Sequence, residues 1–184
     1  MSGGCPGVGW SVGAREDRDL RGCLVSTPPA RVRGTREVLG LVGASLGPSD
    51  WLTITQERVD AFARAVEDWH WVHNDPRRAA FGPFGRTIGH AHLTLGVIPG
   101  LFHALLHFCE GEDAMFYGYN RVRFPEPVPV GSRVRLVAEI AAVEELEDAE
   151  QLVVDLRVED DAGGRPVCVA QAVFRHYHLG TAPA

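Results

Sequence analysis

Lysine is absent from this chain of 184 residues, and all 18 of its basic residues are arginine. Because glycine, alanine and proline are abundant as well, we attribute this bias to codon usage and draw no functional conclusion from it. Acidic residues outnumber basic ones, and the formal net charge is -6. A mildly acidic balance argues against nucleic acid or an anionic membrane as a partner.

Cysteine is scarce, and its positions show no paired spacing. Cys5, Cys23, Cys109 and Cys168 predict neither a disulfide framework nor a zinc knuckle, which fits a reducing compartment. A signal-peptide pattern is also missing at the N-terminus. The longest apolar stretch, 93–108, is interrupted by glycine, proline and histidine and is too short to span a bilayer. We therefore expect a cytoplasmic protein.

The periodicity of the apolar residues changes along the chain from helical to strand-like. Residues 1–35 show no periodicity and are predicted to be a disordered extension, followed by one domain over 36–180. Helices are expected at 36–45, from Thr55 to just before Asp68, and from His90 to Phe108, the last of them apolar on nearly all sides. Strands are expected at 49–53, 115–124, 134–140, 152–158 and 165–178. This order predicts an α+β fold in which an antiparallel sheet packs around a buried helix.

A carboxylate and an imidazole stand close together in the segment that is densest in titratable groups. Asp68 lies at or just past the end of an amphipathic helix, and a turn separates it from His73. If the two side chains converge on one pocket, they can hold a water molecule for hydration or dehydration, which requires a base and an acid poised near neutral pH. In the structural alternative, Asp68 ends its helix and His73 is a hydrogen-bonded core residue. The spacing alone leaves both interpretations open.

A glycine-rich loop, 82–89, follows this pair and opens onto the apolar helix. Backbone N–H groups at the start of that helix could stabilise an enolate oxygen that develops on a thioester carbonyl. The structural alternative is an ordinary turn, and no Gly-Lys-Ser/Thr follows that would indicate a nucleotide loop. His70, His73, His90 and His92 also suggest a metal site, but the helical His-Glu-x-x-His spacing is absent.

Several motifs together resemble the MaoC-like dehydratase family. They are Asp68-x4-His73-x-Asp75-Pro76, Gly82-Pro-Phe-Gly85, Ile88-Gly-His-Ala-His-Leu-Thr94, Tyr117-Gly-Tyr-Asn120-Arg-Val-Arg-Phe124-Pro125, Pro129-Val-Gly-Ser132-Arg-Val-Arg135 and Val167-Cys-Val-Ala170 followed by Phe174-Arg-His-Tyr177. Within that family, the chain looks most like the (R)-specific enoyl-CoA hydratases of the nodulation-protein-N type. The resemblance covers roughly 39–178, nearly everything outside the N-terminal tail.

The resemblance implies a hotdog fold, in which an antiparallel sheet wraps around a long central helix, and assembly as a homodimer. It implies reversible addition of water to a trans-2-enoyl-CoA or carrier-protein thioester, giving the (R)-3-hydroxyacyl product of fatty acid metabolism, without a metal or organic cofactor. Carried over by position, Asp68 and His73 would be the catalytic pair. The backbone N–H of Ala91 would bind the oxyanion, and Gly89 and His90 would lie beside the substrate. Because the pair would titrate as a unit, the acid and base roles stay open.

Three positions depart from the family pattern. Ala91 stands for a glycine, and this is tolerable only if the position is helical and does not require a positive φ. Gly96 stands for a serine that would support Asp68. Glu67 stands for a glycine before the aspartate, which adds a second carboxylate there.

Two other functions compete with hydration. An acyl-CoA thioesterase of the same fold would place a carboxylate on the central helix, and the sequence has none between His90 and Phe108. A thioester-binding protein with an impaired site is supported only by Ala91 and Gly96. The retained Asp68 and His73 favour an enzyme.

Overall fold

A six-stranded antiparallel sheet forms most of the fold in the computed structural model, which describes residues 29–32, 34–108, 114–147 and 149–177. The elements in chain order are strand β1 (Ala30–Val32), helix α1 (Gly34–Leu39), strands β2 (Ser45–Leu46) and β3 (Leu52–Thr53), helices α2 (Gln56–Val66), α3 (Trp71–Asn74), α4 (Pro76–Ala79) and α5 (Ala91–His103), and strands β4 (Leu106–Phe108), β5 (Ala114–Arg123), β6 (Arg133–Glu145), β7 (Ala149–Asp160) and β8 (Cys168–Tyr177). The main sheet has the order β2-β6-β7-β8-β5, and β3 also pairs with β6. Strand β5 therefore lies at one edge of this sheet.

Strand β6 shows how the sequence gives the sheet one apolar face. Val134, Leu136, Ala138 and Ile140 are buried, whereas the residues between them are exposed or half-buried. Successive side chains of a strand point to opposite faces, so this alternation buries one face only. The predicted strands are confirmed with shifted ends, and the expected strand at 49–53 is reduced to Leu52–Thr53.

Helix α5 packs against the apolar face of the sheet. Leu93, Ile98 and Phe102 are buried in the same cluster as the inward-facing residues of the strands. The ring of Phe102 stacks on that of Phe174 in β8, with 4.8 Å between the ring centroids. A helix that is apolar on most sides is stable only when those sides are buried, and the sheet buries them. The predicted α+β architecture with a central helix is confirmed.

The central helix is shorter than predicted, because the apolar run from His90 to Phe108 contains two elements. The helix ends at His103, and Leu106–Phe108 forms strand β4, which pairs in parallel with β1. A short buried strand and a buried helix have the same apolar composition, so periodicity does not separate them.

The same pairing corrects the predicted disordered extension. Residues 30–32 form β1, and Val32 is 3% exposed, so regular structure is present before residue 36. Residues 1–28 lie outside the described residues. Among the helices of the described part, none combines the length and apolar character needed to cross a membrane.

Candidate active site

The C-terminal end of α2 places Asp68 at the edge of the site. Thr55 caps the start of this helix, where its hydroxyl accepts a hydrogen bond from the backbone N–H of Arg58 at 3.3 Å. Glu67 ends the helix with φ 61, in the left-handed region. Glycine adopts this conformation without strain, whereas a side chain crowds the backbone. This backbone conformation accounts for the glycine that precedes the aspartate in the MaoC-like dehydratases, which the chain resembles.

Replacing Glu67 with glycine is expected to stabilise the fold. Removing the side chain relieves the left-handed strain, and the free energy of unfolding should rise by about 1 kcal/mol, or roughly 2–4 °C in Tm. Urea unfolding measures this change. Glu67→Ala is the matched control, because it removes the carboxylate and keeps the Cβ atom. An equal gain from alanine would show that charge, and not backbone strain, is responsible.

Four side chains that the sequence analysis did not single out hold the backbone around His73. The Gln56 amide Nε2 donates to the His73 carbonyl at 2.8 Å and to Asp60 Oδ1 at 2.9 Å. Asn74 Nδ2 donates to the same Asp60 oxygen at 2.7 Å, and the Thr87 hydroxyl donates to Gln56 Oε1 at 2.8 Å. This network ties α3 to α2 and to the loop before α5. It holds His73 in place through the main chain.

The imidazole of His73 has a defined tautomer. Its Nδ1 lies 2.8 Å from the carbonyl oxygen of Ile88, which can only accept, so Nδ1 carries the proton and neutral His73 offers Nε2 as an acceptor. Burial lowers the pKa of His73, and His90 and His70 act in the same direction, against the hydrogen bond to Ile88 and the charge of Asp68. The neutral imidazole, a proton acceptor, is therefore favoured near neutral pH.

All five site residues predicted from the sequence line one cleft of about 410 Å³. They are Asp68, His73, Gly89, His90 and Ala91. A carboxylate oxygen of Asp68 and one ring nitrogen each of His73 and His90 lie within 4.8 Å of one another. Two hydrogen bonds that meet at one water molecule span about 4.6 Å, so a single water can contact Asp68 and His73 together.

The remaining walls of the cleft come from segments far apart in sequence. Thr94 of α5, Phe124 and Val128 after β5, and Val167 before β8 line it as well. Phe124, Val128 and Val167 give this wall apolar surface. The polar residues His92, Thr94 and Glu126 also line the cleft. Thr94, Phe124 and Val167 belong to motifs quoted above. No local spacing relates them to Asp68 or His73, so they were not predicted as site residues.

Ala91 is compatible with the role expected of its backbone. It is the first residue of α5, and Glu67 is the only non-glycine residue with positive φ in the described part of the chain. Alanine at a helical position therefore costs little. The N–H groups of a first helical turn have no acceptor within their own helix. The backbone N–H of Ala91 is consequently available to a ligand in the cleft.

Gly96 stands on an exposed part of α5. An added Cβ atom there would meet no atom of the described residues within 4 Å. In this chain, no side chain at position 96 supports Asp68.

The arrangement of the site does not favour a metal ion, although Asp68, His73 and His90 offer three ligand atoms. The rings of His73 and His90 are stacked, with 3.8 Å between centroids and 26° between planes. One nitrogen of each ring is already engaged, since Nδ1 of His73 lies at the Ile88 carbonyl and Nε2 of His90 at the Asp68 carbonyl.

The chain matches the MaoC like domain family over residues 38–162. The chain belongs to the MaoC-like family. It is 45% identical over 141 residues to 3-hydroxyacyl-thioester dehydratase Z of Mycobacterium tuberculosis, covering 76% of this chain and 93% of that protein. It is 44% identical over 100 residues to nodulation protein N of Rhizobium meliloti, covering 53% of this chain and 62% of that protein.

Solved structures share the fold of this MaoC-like chain. The (R)-hydratase from A. caviae involved in PHA biosynthesis superposes with a TM-score of 0.61 at 28% identity, covering 72% of this chain and 94% of that one. The monoamine oxidase regulatory protein of Archaeoglobus superposes with a TM-score of 0.63 at 22% identity, covering 76% and 92%. The fold is the hotdog fold that the sequence motifs predicted.

Proposed function

We propose that this MaoC-like chain is an (R)-specific enoyl-thioester hydratase that also catalyses the reverse dehydration. The observation that carries the proposal is the placement of the Asp68 carboxylate and the His73 imidazole on one cleft, with their ligand atoms within 4.8 Å. The names of the dehydratase and the (R)-hydratase to which the chain is similar point in the same direction. Asp68 and His73 are the proposed catalytic residues.

In the proposed reaction, His73 accepts one proton from water and later donates it to the α-carbon of the substrate. Asp68 accepts a hydrogen bond from a water molecule and orients it, while the Nε2 lone pair of His73 accepts the other water proton. The water oxygen bonds to the β-carbon of the enoyl group as the carbon–carbon π bond breaks. The electron pair moves to the thioester oxygen as an enolate, and the His73 imidazolium then protonates the α-carbon. Dehydration follows the same steps in reverse.

The start of α5 is the proposed oxyanion site. The backbone N–H of Ala91 would donate to the thioester oxygen, where negative charge develops only during the reaction, and the positive end of the helix dipole adds to this effect. Gly89 and His90 would lie beside the substrate. A Cβ atom on Gly89 would come within 3.3 Å of Ile54 Cγ2, so the backbone packs closely at this point.

The test is loss of enoyl absorbance with crotonyl-CoA, followed by chiral analysis of the product. We expect the (R)-3-hydroxy thioester, formed without added metal or cofactor. Formation of the (S) product would contradict the proposed stereochemistry. Failure with crotonyl-CoA, longer enoyl-CoAs and the corresponding carrier-protein thioesters would reject the function in favour of a thioester-binding protein.

The homodimer is proposed from the free edge of the sheet. Strand β5 forms this edge, and Met115, Phe116 and Tyr117 on it expose 60%, 43% and 60% of their surface. Another strand can pair with an exposed sheet edge that carries large apolar side chains. In the proposed dimer, this strand is β5 of a second copy. Sedimentation equilibrium should give twice the mass of the chain, and a monomer mass would contradict the dimer.

A thioesterase is the less supported alternative. Helix α5 carries no acidic residue along its length, so it offers no carboxylate for attack on the thioester carbonyl. Release of free thiol from saturated acyl-CoA at a rate above that of enoyl hydration would favour this alternative.

A further inference from the structure

His90 contacts both members of the Asp68–His73 pair, and each contact uses a different part of its ring. The residue is almost fully buried, with 2% exposure. Its Nε2 lies 3.0 Å from the backbone carbonyl of Asp68 and 3.9 Å from Oδ2 of the same residue. Its ring face stacks on His73 at 3.8 Å, and Phe62 packs 5.1 Å from the His90 centroid. One side chain therefore connects the two residues.

The hydrogen bond to Asp68 determines the tautomer of His90. A carbonyl oxygen can only accept, so the proton lies on Nε2, and Nδ1 bears the lone pair in the neutral ring. Nδ1 is buried and has no hydrogen-bond partner among the described residues. The His90 ring therefore donates to Asp68 through Nε2 and stacks on His73 through its face.

Neither Asp68 nor His73 lies within a long helix or strand. Asp68 follows the left-handed Glu67, beyond the last turn of α2, and its side chain is 54% exposed. His73 belongs to a helix of only four residues. His90, at the N-cap of α5, belongs to an element that is anchored in the core.

We propose that His90 is a positioning residue for the Asp68–His73 pair. Its Nε2–H holds the main chain at Asp68, and its ring face sets the plane of the His73 imidazole. This inference rests on the proposed hydratase function for its kinetic test. It goes beyond that function because His90 would act through Asp68 and His73 and would not touch the reacting atoms.

Three variants separate the two contacts. His90→Gln retains an N–H donor and loses the ring, His90→Phe retains the ring and loses the donor, and His90→Ala loses both. With crotonyl-CoA we expect kcat to fall about tenfold for glutamine and for phenylalanine. For alanine we expect a fall of about 100-fold, since misplacement by 1 Å can cost that much. KM should change less than about twofold in each case. His103→Gln, at the exposed end of α5, is the control and should retain wild-type kinetics.

A second measurement does not depend on turnover. NMR titration of the His73 ring should show a higher pKa in His90→Gln than in the wild type, because loss of the stacked ring exposes the His73 imidazole and reduces the desolvation that lowers its pKa. His103→Gln should leave this titration unchanged. A merely structural role of His90 would alter the melting temperature and would leave the titration of His73 as it is in a folded glutamine variant.

The outcomes distinguish this inference from the proposed function. Wild-type kcat in the phenylalanine variant, or a loss confined to KM, would overturn the positioning role. A wild-type protein that hydrates no enoyl thioester would reject the proposed function. The NMR titration would then decide the role of His90 alone, and an unchanged His73 titration in His90→Gln would overturn it.

Discussion

Replacing Asp68 with asparagine is expected to lower kcat for crotonyl-CoA hydration by about 1,000-fold, within the range for a group that takes part in acid–base catalysis. The amide is close in shape to the carboxylate, but it is neutral and cannot balance the imidazolium that forms on His73. Because the side chain is 54% exposed, the substitution should hardly change the free energy of unfolding. KM should stay near its wild-type value, since asparagine keeps the size of the side chain that lines the cleft. Steady-state hydration kinetics and thermal unfolding measure these effects.

Glu67→Gln is the matched control for this substitution. It removes the neighbouring carboxylate by the same chemical change and keeps the left-handed backbone at that position. We expect it to retain kcat within about twofold. An unaffected rate in Asp68→Asn would reject the catalytic role of Asp68. Equal losses in both variants would indicate a general effect of negative charge at this end of α2.

The catalytic segment could be predicted from the sequence because its determinants are local. Asp68, His73 and the start of α5 lie within 25 residues, and each is marked by a helix end, a turn or a glycine-rich loop. The positioning contacts could not be predicted in this way. The stacking of His90 on His73 depends on how α5 meets α3. The Gln56 network depends on hydrogen bonds across 14 to 31 residues of sequence.

The difference between local and long-range determinants also explains which parts of the fold were predicted wrongly. Strands β6 and β7 were predictable because alternation within each strand and the short connection between them are local signals. The end of α5 was not, because Leu106 becomes part of a strand only through pairing with residues 30–32, more than 70 positions earlier. The backbone conformation of Glu67 was also not predictable from local signals in the sequence. Its left-handed φ is set by the turn that brings Asp68 to the cleft.

Replacing His73 with asparagine is expected to reduce kcat about 1,000-fold and to remove the pH dependence that His73 confers. Asparagine retains an N–H near the position of Nδ1 that can donate to the Ile88 carbonyl, and it has no counterpart of Nε2. In the wild type, burial lowers the pKa of His73, so kcat/KM should decline at acid pH with a midpoint below the ordinary histidine value of about 6.5. His107→Gln, an exposed histidine beyond α5, should retain the wild-type profile.

The pH dependence of the unfolding free energy should report the ionisation of His73 without any enzymatic turnover. Since the pKa of His73 is lowered in the folded state, the unfolded chain binds more protons between the two pKa values, and the free energy of unfolding rises with pH in that window. The contribution of His73 is fully present above about pH 6.5 and is lost as the pH falls through the lowered value. The difference in unfolding free energy between wild type and His73→Asn should therefore shrink on acidification. A difference that stays constant across this range would show that folding does not shift the ionisation of His73.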